Sequence, residues 1–371
     1  MNAILILLGM FSLTFFVANL DFLKKVNAFS FISIPILIGL FFSPTQGLVP
    51  ILPSTLSELS WALKVGLTWI AFLVGARLWK VQPSLESVIK LLPFFLGHLV
   101  FFFSTLIIIH TFEFSDLDMF SLSPSSIKLL ATSLILSSVL FSSKENPFVL
   151  FFFFISLLYL FTNNLYKFTY LNLLIPVAIG FLMGLVCRLI IPADKSLNTP
   201  GRLTLAGVCI LGTGWSAGLG DLEVLVGLGF GWSMATLHNV RVLNDATLTK
   251  TLIPLKFVIA LFCGMFITIT PSVMIIGVLL ALTRFAMKAL ILNFGLRKAS
   301  IEEVLTTIIP ISQLALPITL SLHLSKFHNE DTGFILSSFC VGFIANDILS
   351  LILEFAKRDA LNANTEEEVA S

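Results

Sequence analysis

Long apolar runs follow one another along almost the whole chain, and they restrict its fold more than any other feature. About thirteen can be counted, each bounded by charged residues, Pro or Gly. A helix needs about 20 apolar residues to cross a bilayer, and most of the runs come close to that length. They lie near residues 2–20, 28–43, 58–78, 86–111, 125–143, 147–163, 168–191, 202–219, 221–237, 250–270, 272–293, 303–324 and 332–353. The pattern predicts an all-α integral membrane protein with about thirteen transmembrane helices.

The composition argues against other classes. Only 12% of the 371 residues are charged, which is about half the share found in soluble domains. The apolar runs leave no room for a soluble catalytic domain. The sequence shows no nucleophile–base constellation, no metal-ligand spacing and no phosphate-binding loop. We therefore expect neither an enzyme nor a bound cofactor or metal, and the net charge of +1 gives no reason to expect nucleic acid as a partner.

The loops differ in their content of Lys and Arg, which predicts the orientation in the membrane. With the N-terminus outside, fourteen of these residues fall in inside loops and only Lys167 and Lys326 fall in outside loops. We expect a protein of the cell (inner or plasma) membrane with its N-terminus outside and its C-terminus in the cytoplasm. Residues 1–355 would form the transmembrane domain, and residues 356–371 an acidic cytoplasmic tail.

Two stretches seven segments apart are alike in position and character. Ala71-Phe-Leu-Val-Gly-Ala-Arg-Leu lies in the third segment, and Ala260-Leu-Phe-Cys-Gly-Met-Phe-Ile lies in the tenth. An odd offset inserts the second copy upside down, which is the inverted repeat of many secondary transporters. The repeat pairs the fifth segment with the twelfth, and the twelfth is interrupted by Pro310 and Pro317. Proline frees backbone groups within a helix, so this segment is predicted to be broken.

The order of motifs resembles that of the monovalent cation:proton antiporters of the Kef and Nap type, the membrane domain of sodium/proton exchangers. The resemblance rests on Ile34–Leu40 with its Gly- and Pro-rich exit, on Val65–Leu78 and on Ile253–Met265. It implies that the fifth and twelfth segments are broken and cross near the membrane midplane. It also implies a core of residues 86–163 and 272–353 that moves against a panel of residues 2–78 and 168–270, with the panel forming a homodimer. The implied function is exchange of a monovalent cation, Na⁺ or K⁺, for protons by alternating access across the lipid bilayer.

The ion-binding residues of this chain would differ from those of the family. The family carries an acidic pair on the sixth segment, but Phe148–Phe161 contains no acid here, so the chain resembles a divergent member. Asp347, preceded by Asn346, is the acid expected inside the membrane. It is either the titrating carboxylate, with Asn346 as a neutral ligand, or the ion-pair partner of Arg284 and Lys288. These two cations lie four residues apart on one helix face, and Lys288 matches a lysine that the family carries opposite its carboxylate.

Three polar residues on the broken segments complete the candidate site: Thr132, Ser133 and Gln313. Lys64 is expected to reach the headgroups from near a span end. Two alternatives to cation:proton antiport remain open. The excess of Arg284 and Lys288 over one acid favours an anion carrier on the same fold. The acid-free sixth segment favours a sensor or partner-binding relative that transports nothing.

Overall fold

The computed structural model describes ten stretches of the chain and five residues near its N-terminus. These are residues 33–48, 51, 53–78, 170–191, 199–218, 222–237, 252–295, 315–324, 332–349 and 351–352, together with Leu8, Gly9, Ser12, Leu13 and Phe16. Within them the regular structure is entirely α-helical, which confirms the all-α part of the prediction. The predicted segments 86–111, 125–143 and 147–163 lie outside the described residues, so the count of thirteen stays a prediction.

The helices follow the apolar runs closely. They are α1 (Ser33–Phe41), α2 (Pro53–Leu78), α3 (Tyr170–Ile190), α4 (Thr199–Gly218), α5 (Glu223–Leu237), α6 (Leu252–Met265), α7 (Pro271–Gly295), α8 (Ala315–Leu324) and α9 (Thr332–Leu349). Two boundaries shift by five residues: α2 begins at Pro53 rather than near residue 58, and α6 ends at Met265 rather than near residue 270. Proline suits the first helical position because its fixed φ is already helical and its missing N–H needs no partner there.

Proline has the same role in one later helix. α7 begins at Pro271, and the preceding Thr270 accepts hydrogen bonds at its carbonyl from the Met274 N–H (3.0 Å) and at its hydroxyl from the Val273 N–H (3.3 Å). Thr270 therefore caps this helix. Pro317 is the third residue of the described part of α8. Pro310 and the residues just before Ala315 lie outside the described residues, so the predicted break of this segment stays a prediction.

Five helices pack side by side in the order α3, α5, α2, α6, α1. The tightest contacts in this row are made by glycines. A Cβ atom on Gly231 of α5 would overlap the carbonyl oxygen of Phe72 on α2, and a Cβ on Gly75 of α2 would overlap the carbonyl oxygen of Leu228. Such approach of two backbones is possible only where side chains are absent.

The crossing of α1 and α6 is built in the same way. A Cβ atom on Gly39 would overlap the carbonyl oxygen of Leu261, and one on Gly264 would overlap the carbonyl oxygen of Ile36. Both crossings are thus fixed by a pair of glycines, one on each helix.

Three further helices lie against this row. α4 contacts α2, α5 and α3, and α8 contacts α6, α2 and α5. α9 is held to the break between α6 and α7, where the Thr268 N–H donates to Ser337 Oγ (3.0 Å). It also packs against α7, since Gly277 lies against Val341. All three bring polar side chains onto the row, and Thr213 of α4 is hydrogen-bonded to Thr68 of α2 (2.9 Å).

Large apolar side chains are exposed on the outward faces of α3 and α4, including Leu189 and Leu203. In water such a surface would aggregate, whereas lipid tails accept it. Two of the described helices, Ser54–Ala76 and Thr332–Leu349, are long and apolar enough to cross a bilayer. Both observations agree with the predicted membrane protein.

The break between α6 and α7 is held by the loop that follows α1. The side-chain amide of Gln46 accepts from the Ile269 N–H (2.7 Å) and donates to the Ile269 carbonyl (3.1 Å). We expect Gln46→Ala to destabilise the protein by about 1 kcal/mol, because both bonds are lost at a partly solvated site. Thermal unfolding in detergent measures this loss, with Leu48→Ala in the same loop as the control. An unfolding temperature equal to that of the control would contradict the prediction.

Candidate ion-binding site

Asp347 lies on α9, completely enclosed by protein at 1% exposure. Its Oδ2 atom accepts a hydrogen bond from the hydroxyl group of Ser33, the first residue of α1. The neighbouring Asn346 is also buried. A carboxylate and a hydroxyl thus meet where α9 contacts α1, and a buried amide adjoins the carboxylate in the sequence. Charged groups are rarely buried at this depth without a role, because transfer of a charge from water costs several kcal/mol.

α7 crosses α9 on the N-terminal side of the predicted ion-pair residues. Gly277 lies against Val341, and Gly342 lies against Leu280. Arg284 is seven residues beyond Gly277 on α7, and Asp347 is six residues beyond Val341 on α9. The ion pair between Arg284 and Asp347 stays a prediction.

The other predicted site residues are placed only in part. Arg284 and Lys288 lie on α7, but their side chains are outside the described part of the structure. Thr132, Ser133 and Gln313 lie outside the described residues altogether. Of the seven predicted residues, the structure thus describes the side chains of Asp347 and Asn346, both buried, and the predicted site as a whole stays a prediction.

A second buried carboxylate, that of Glu223, was not identified from the sequence. Glu223 is the first residue of α5 and has no exposed surface. Its Oε1 atom accepts a hydrogen bond from the hydroxyl of Ser321 on α8 (3.1 Å). The sequence placed Glu223 at the edge of the ninth apolar segment, where an acid is normally solvated. The glycine spacing of that segment was the available signal, because Gly227, Gly229 and Gly231 mark a helix that packs tightly on both sides.

The two carboxylates share one chemistry. Each is buried, and each accepts a hydrogen bond from a serine on another helix. Carboxylate, hydroxyl and amide oxygens are ligands for hard cations, and a carboxylate also binds a proton. No group of three or more His, Cys, Asp or Glu side chains that could hold a metal ion occurs within the described ranges. The arrangement suits a small cation or a proton bound in passage.

Comparison with known proteins finds a likeness in fold. No family model and no curated protein matches the sequence. The fold is similar to that of the sodium proton antiporter MjNhaP1 from Methanocaldococcus jannaschii, with a TM-score of 0.56 over 95% of each chain at 18% identity. At this identity the likeness establishes the fold, which is that of a cation:proton antiporter. The matched protein is a transporter, in agreement with the expectation that this chain is not an enzyme.

Proposed function

We propose that the protein is a secondary-active transporter that exchanges a monovalent cation, Na⁺ or K⁺, for protons. The observation that carries this proposal is the burial of Asp347, with a hydrogen bond from Ser33, in a chain with an antiporter fold. Asp347 is the carboxylate that alternately holds the proton and the cation, and Asn346 is a neutral ligand beside it. Exchange at one carboxylate couples the two fluxes, because a proton and a cation compete for the same oxygen atoms.

The Kef or Nap subtype is part of the proposal. So are the roles of the remaining predicted residues. Arg284 and Lys288 stabilise the carboxylate when no cation is bound, and Thr132, Ser133 and Gln313 line the path at the broken segments. This arrangement joins the two interpretations of Asp347, since a cation that binds replaces the ion pair.

An inverted repeat is supported by the two glycine crossings. Gly264 follows Gly75 by 189 positions, and Leu261 follows Phe72 by the same number. On α5 and α1, Gly231 follows Gly39 by 192 positions, and Leu228 follows Ile36 by the same number. The same two contacts therefore occur twice, once between α2 and α5 and once between α6 and α1. The contact of Gly75 with Leu228 corresponds to that of Gly264 with Ile36. The contact of Gly231 with Phe72 corresponds to that of Gly39 with Leu261. Chance packing would not reproduce both contacts at fixed offsets.

One further contact marks the centre of this repeat. A Cβ atom on Gly66 of α2 would overlap the side chain of Leu255 on α6. Leu255 follows Gly66 by 189 positions, the offset that relates the two helices. A residue that touches its own counterpart lies beside the two-fold axis relating the copies. In an inverted repeat that axis runs in the membrane plane, so Gly66 marks the midplane.

Alternating access then follows from the division into panel and core. We assign the row of α1, α2, α3, α5 and α6 to the panel, within residues 2–78 and 168–270, and α7, α8 and α9 to the core, within residues 86–163 and 272–353. The hydrogen bonds of Asp347 and Glu223 both cross from panel to core. The core moves against a panel that forms a homodimer, with the N-terminus outside and the acidic tail, residues 356–371, in the cytoplasm.

The test is proton flux in proteoliposomes that hold the purified full-length protein and a pH-sensitive dye. We expect addition of Na⁺ or K⁺ to drive protons across the membrane, and vesicles without protein to show no such flux. Li⁺ and choline chloride provide a competing small cation and an impermeant control. An absence of flux with every cation, in protein that elutes as a single folded species, would contradict antiport. A flux driven by an anion would instead establish the anion carrier.

A further inference from the structure

Glu223 is a carboxylate on the panel side of the bundle whose hydrogen-bond donor belongs to the core side. It is entirely buried. Ser321, which donates to it at 3.1 Å, lies on α8 and is itself buried. The antiport mechanism proposed above places the bound ion at Asp347 and gives no role to Glu223 or Ser321.

Glu223 lies near the middle of the bundle rather than at its rim. On α5, Gly227 packs against Thr68 of α2, and Gly231 packs against Phe72, so the two helices run alongside in the same direction. The same register places Glu223 level with Lys64, the twelfth residue of the 26-residue helix α2. Gly66, which touches its repeat counterpart, is only two residues further along. The carboxylate therefore sits close to the midplane.

In the part of the chain that the structure describes, three ionisable side chains on α2, α6 and α8 lie near the level of Glu223. Lys256 of α6 directly follows Leu255, which lies against Gly66 of α2. Lys64 of α2 is at the same level and is partly exposed. The sequence predicted that Lys64 reaches the headgroups from a nearby span end, but the start of α2 at Pro53 moves it to the middle of the helix. His323 of α8 is two residues beyond Ser321, and its ring packs edge-on against Phe266 with centroids 5.0 Å apart.

We propose that Glu223 is a second ion-binding carboxylate of the transport pathway, which takes up a proton or a monovalent cation when α8 withdraws Ser321. The inference rests on the proposed antiport, in which α8 moves with the core. Loss of the Ser321 donor destabilises the charged form of this carboxylate at the midplane, where charge is strongly disfavoured. The loss therefore favours uptake of a proton or a cation that enters from the pathway. The movement of the core and the occupancy of Glu223 are thereby coupled.

The experiment compares Glu223→Gln with the unaltered protein in the proteoliposome assay. Glutamine keeps the size of the side chain and an acceptor for Ser321, but it binds neither a proton nor a cation with comparable affinity. We expect cation-evoked proton flux to fall about tenfold or more. Glu58→Gln removes the same charge from the exposed face of α2 and is expected to transport as the unaltered protein does.

Two further variants keep the test decisive if Glu223→Gln does not fold. Ser321→Ala retains the carboxylate and removes its donor, so flux is expected to persist with the KM for the cation changed about threefold or more. Glu223→Asp retains the charge and is expected to keep part of the flux. Stabilisation of the detergent-solubilised protein against heat by Na⁺, measured at fixed pH, distinguishes a bound cation from a proton. Loss of this stabilisation in Glu223→Gln assigns the cation to Glu223, whereas its retention with reduced flux assigns the proton.

Three results separate the possible failures. Flux in the unaltered protein together with unchanged flux and KM in Glu223→Gln overturns this inference alone. Where Glu223→Gln does not fold, an unchanged KM in Ser321→Ala overturns it. No flux in the unaltered protein overturns the proposed antiport and this inference with it.

Discussion

Replacement of Asp347 by asparagine is expected to abolish cation-evoked proton flux. The substitution Asp347→Asn preserves the shape of the side chain and leaves an oxygen atom to accept the hydrogen bond from Ser33. It removes the charge that attracts a cation and the group that carries a proton. Because proton transfer by a positioned group contributes about 10²- to 10⁴-fold to a rate, we expect flux to fall at least about a hundredfold.

The measurement is the initial rate of dye response after a cation pulse, normalised to protein incorporated. Ser33→Ala is the matched variant, since it removes the donor and keeps the carboxylate. It is expected to retain flux with an altered KM for the cation. Full flux in Asp347→Asn would remove Asp347 from the mechanism, even if antiport itself remained.

A second readout separates transport from a purely structural ion pair. If Asp347 only neutralised Arg284, its replacement would leave a buried cation without compensation and lower the unfolding temperature. The double variant Arg284→Gln, Asp347→Asn would then recover the lost stability. We expect the double variant to be stable and still inactive, because stability requires only charge balance whereas transport requires the carboxylate.

The helices could be predicted from the sequence because their apolar runs carry nearly all the information needed. In a bilayer every backbone group must be bonded internally, so a run such as residues 168–191 has few structures other than a helix. The described α3, Tyr170–Ile190, agrees with it to within two residues. The start of α2 was predicted less well, because Ser54, Ser57 and Glu58 are polar and the helix there extends beyond the apolar run.

The site was less predictable, because depth in the membrane depends on helix packing and not on hydropathy alone. Asp347 could be identified from the sequence because it lies within the long apolar run of residues 332–353. Glu223 could not, because only the packing of Gly227 and Gly231 against α2 places the start of α5 level with the middle of that helix. The pairing of Ser33 with Asp347 joins residues 314 positions apart, a contact that no local pattern encodes.

Replacement of Gly231 by leucine is expected to prevent the protein from folding. Its Cβ atom would meet the carbonyl oxygen of Phe72 and the backbone nitrogen of Ala76, and backbone atoms have no alternative rotamer to adopt. Overpacking a core typically costs about 1–3 kcal/mol, occasionally more, and here α5 would have to separate from α2 along its length. We expect Gly231→Leu to yield no monodisperse protein in detergent.

The same chain offers both a control and a test of the repeat. Among the described residues, no atom lies within 4 Å of where a Cβ atom would stand on Gly207 or Gly214 of α4. Gly214→Leu is therefore expected to fold normally, or slightly better, since leucine favours a helix by about 0.8 kcal/mol relative to glycine. Gly39→Leu, the repeat counterpart of Gly231→Leu, meets the carbonyl oxygen of Leu261 and should fail in the same way. Normal folding of either Gly231→Leu or Gly39→Leu would contradict the tight crossings, and a large difference between the two would argue against the inverted repeat. Equal losses at two glycines 192 positions apart would mean that both copies depend on the same backbone contact.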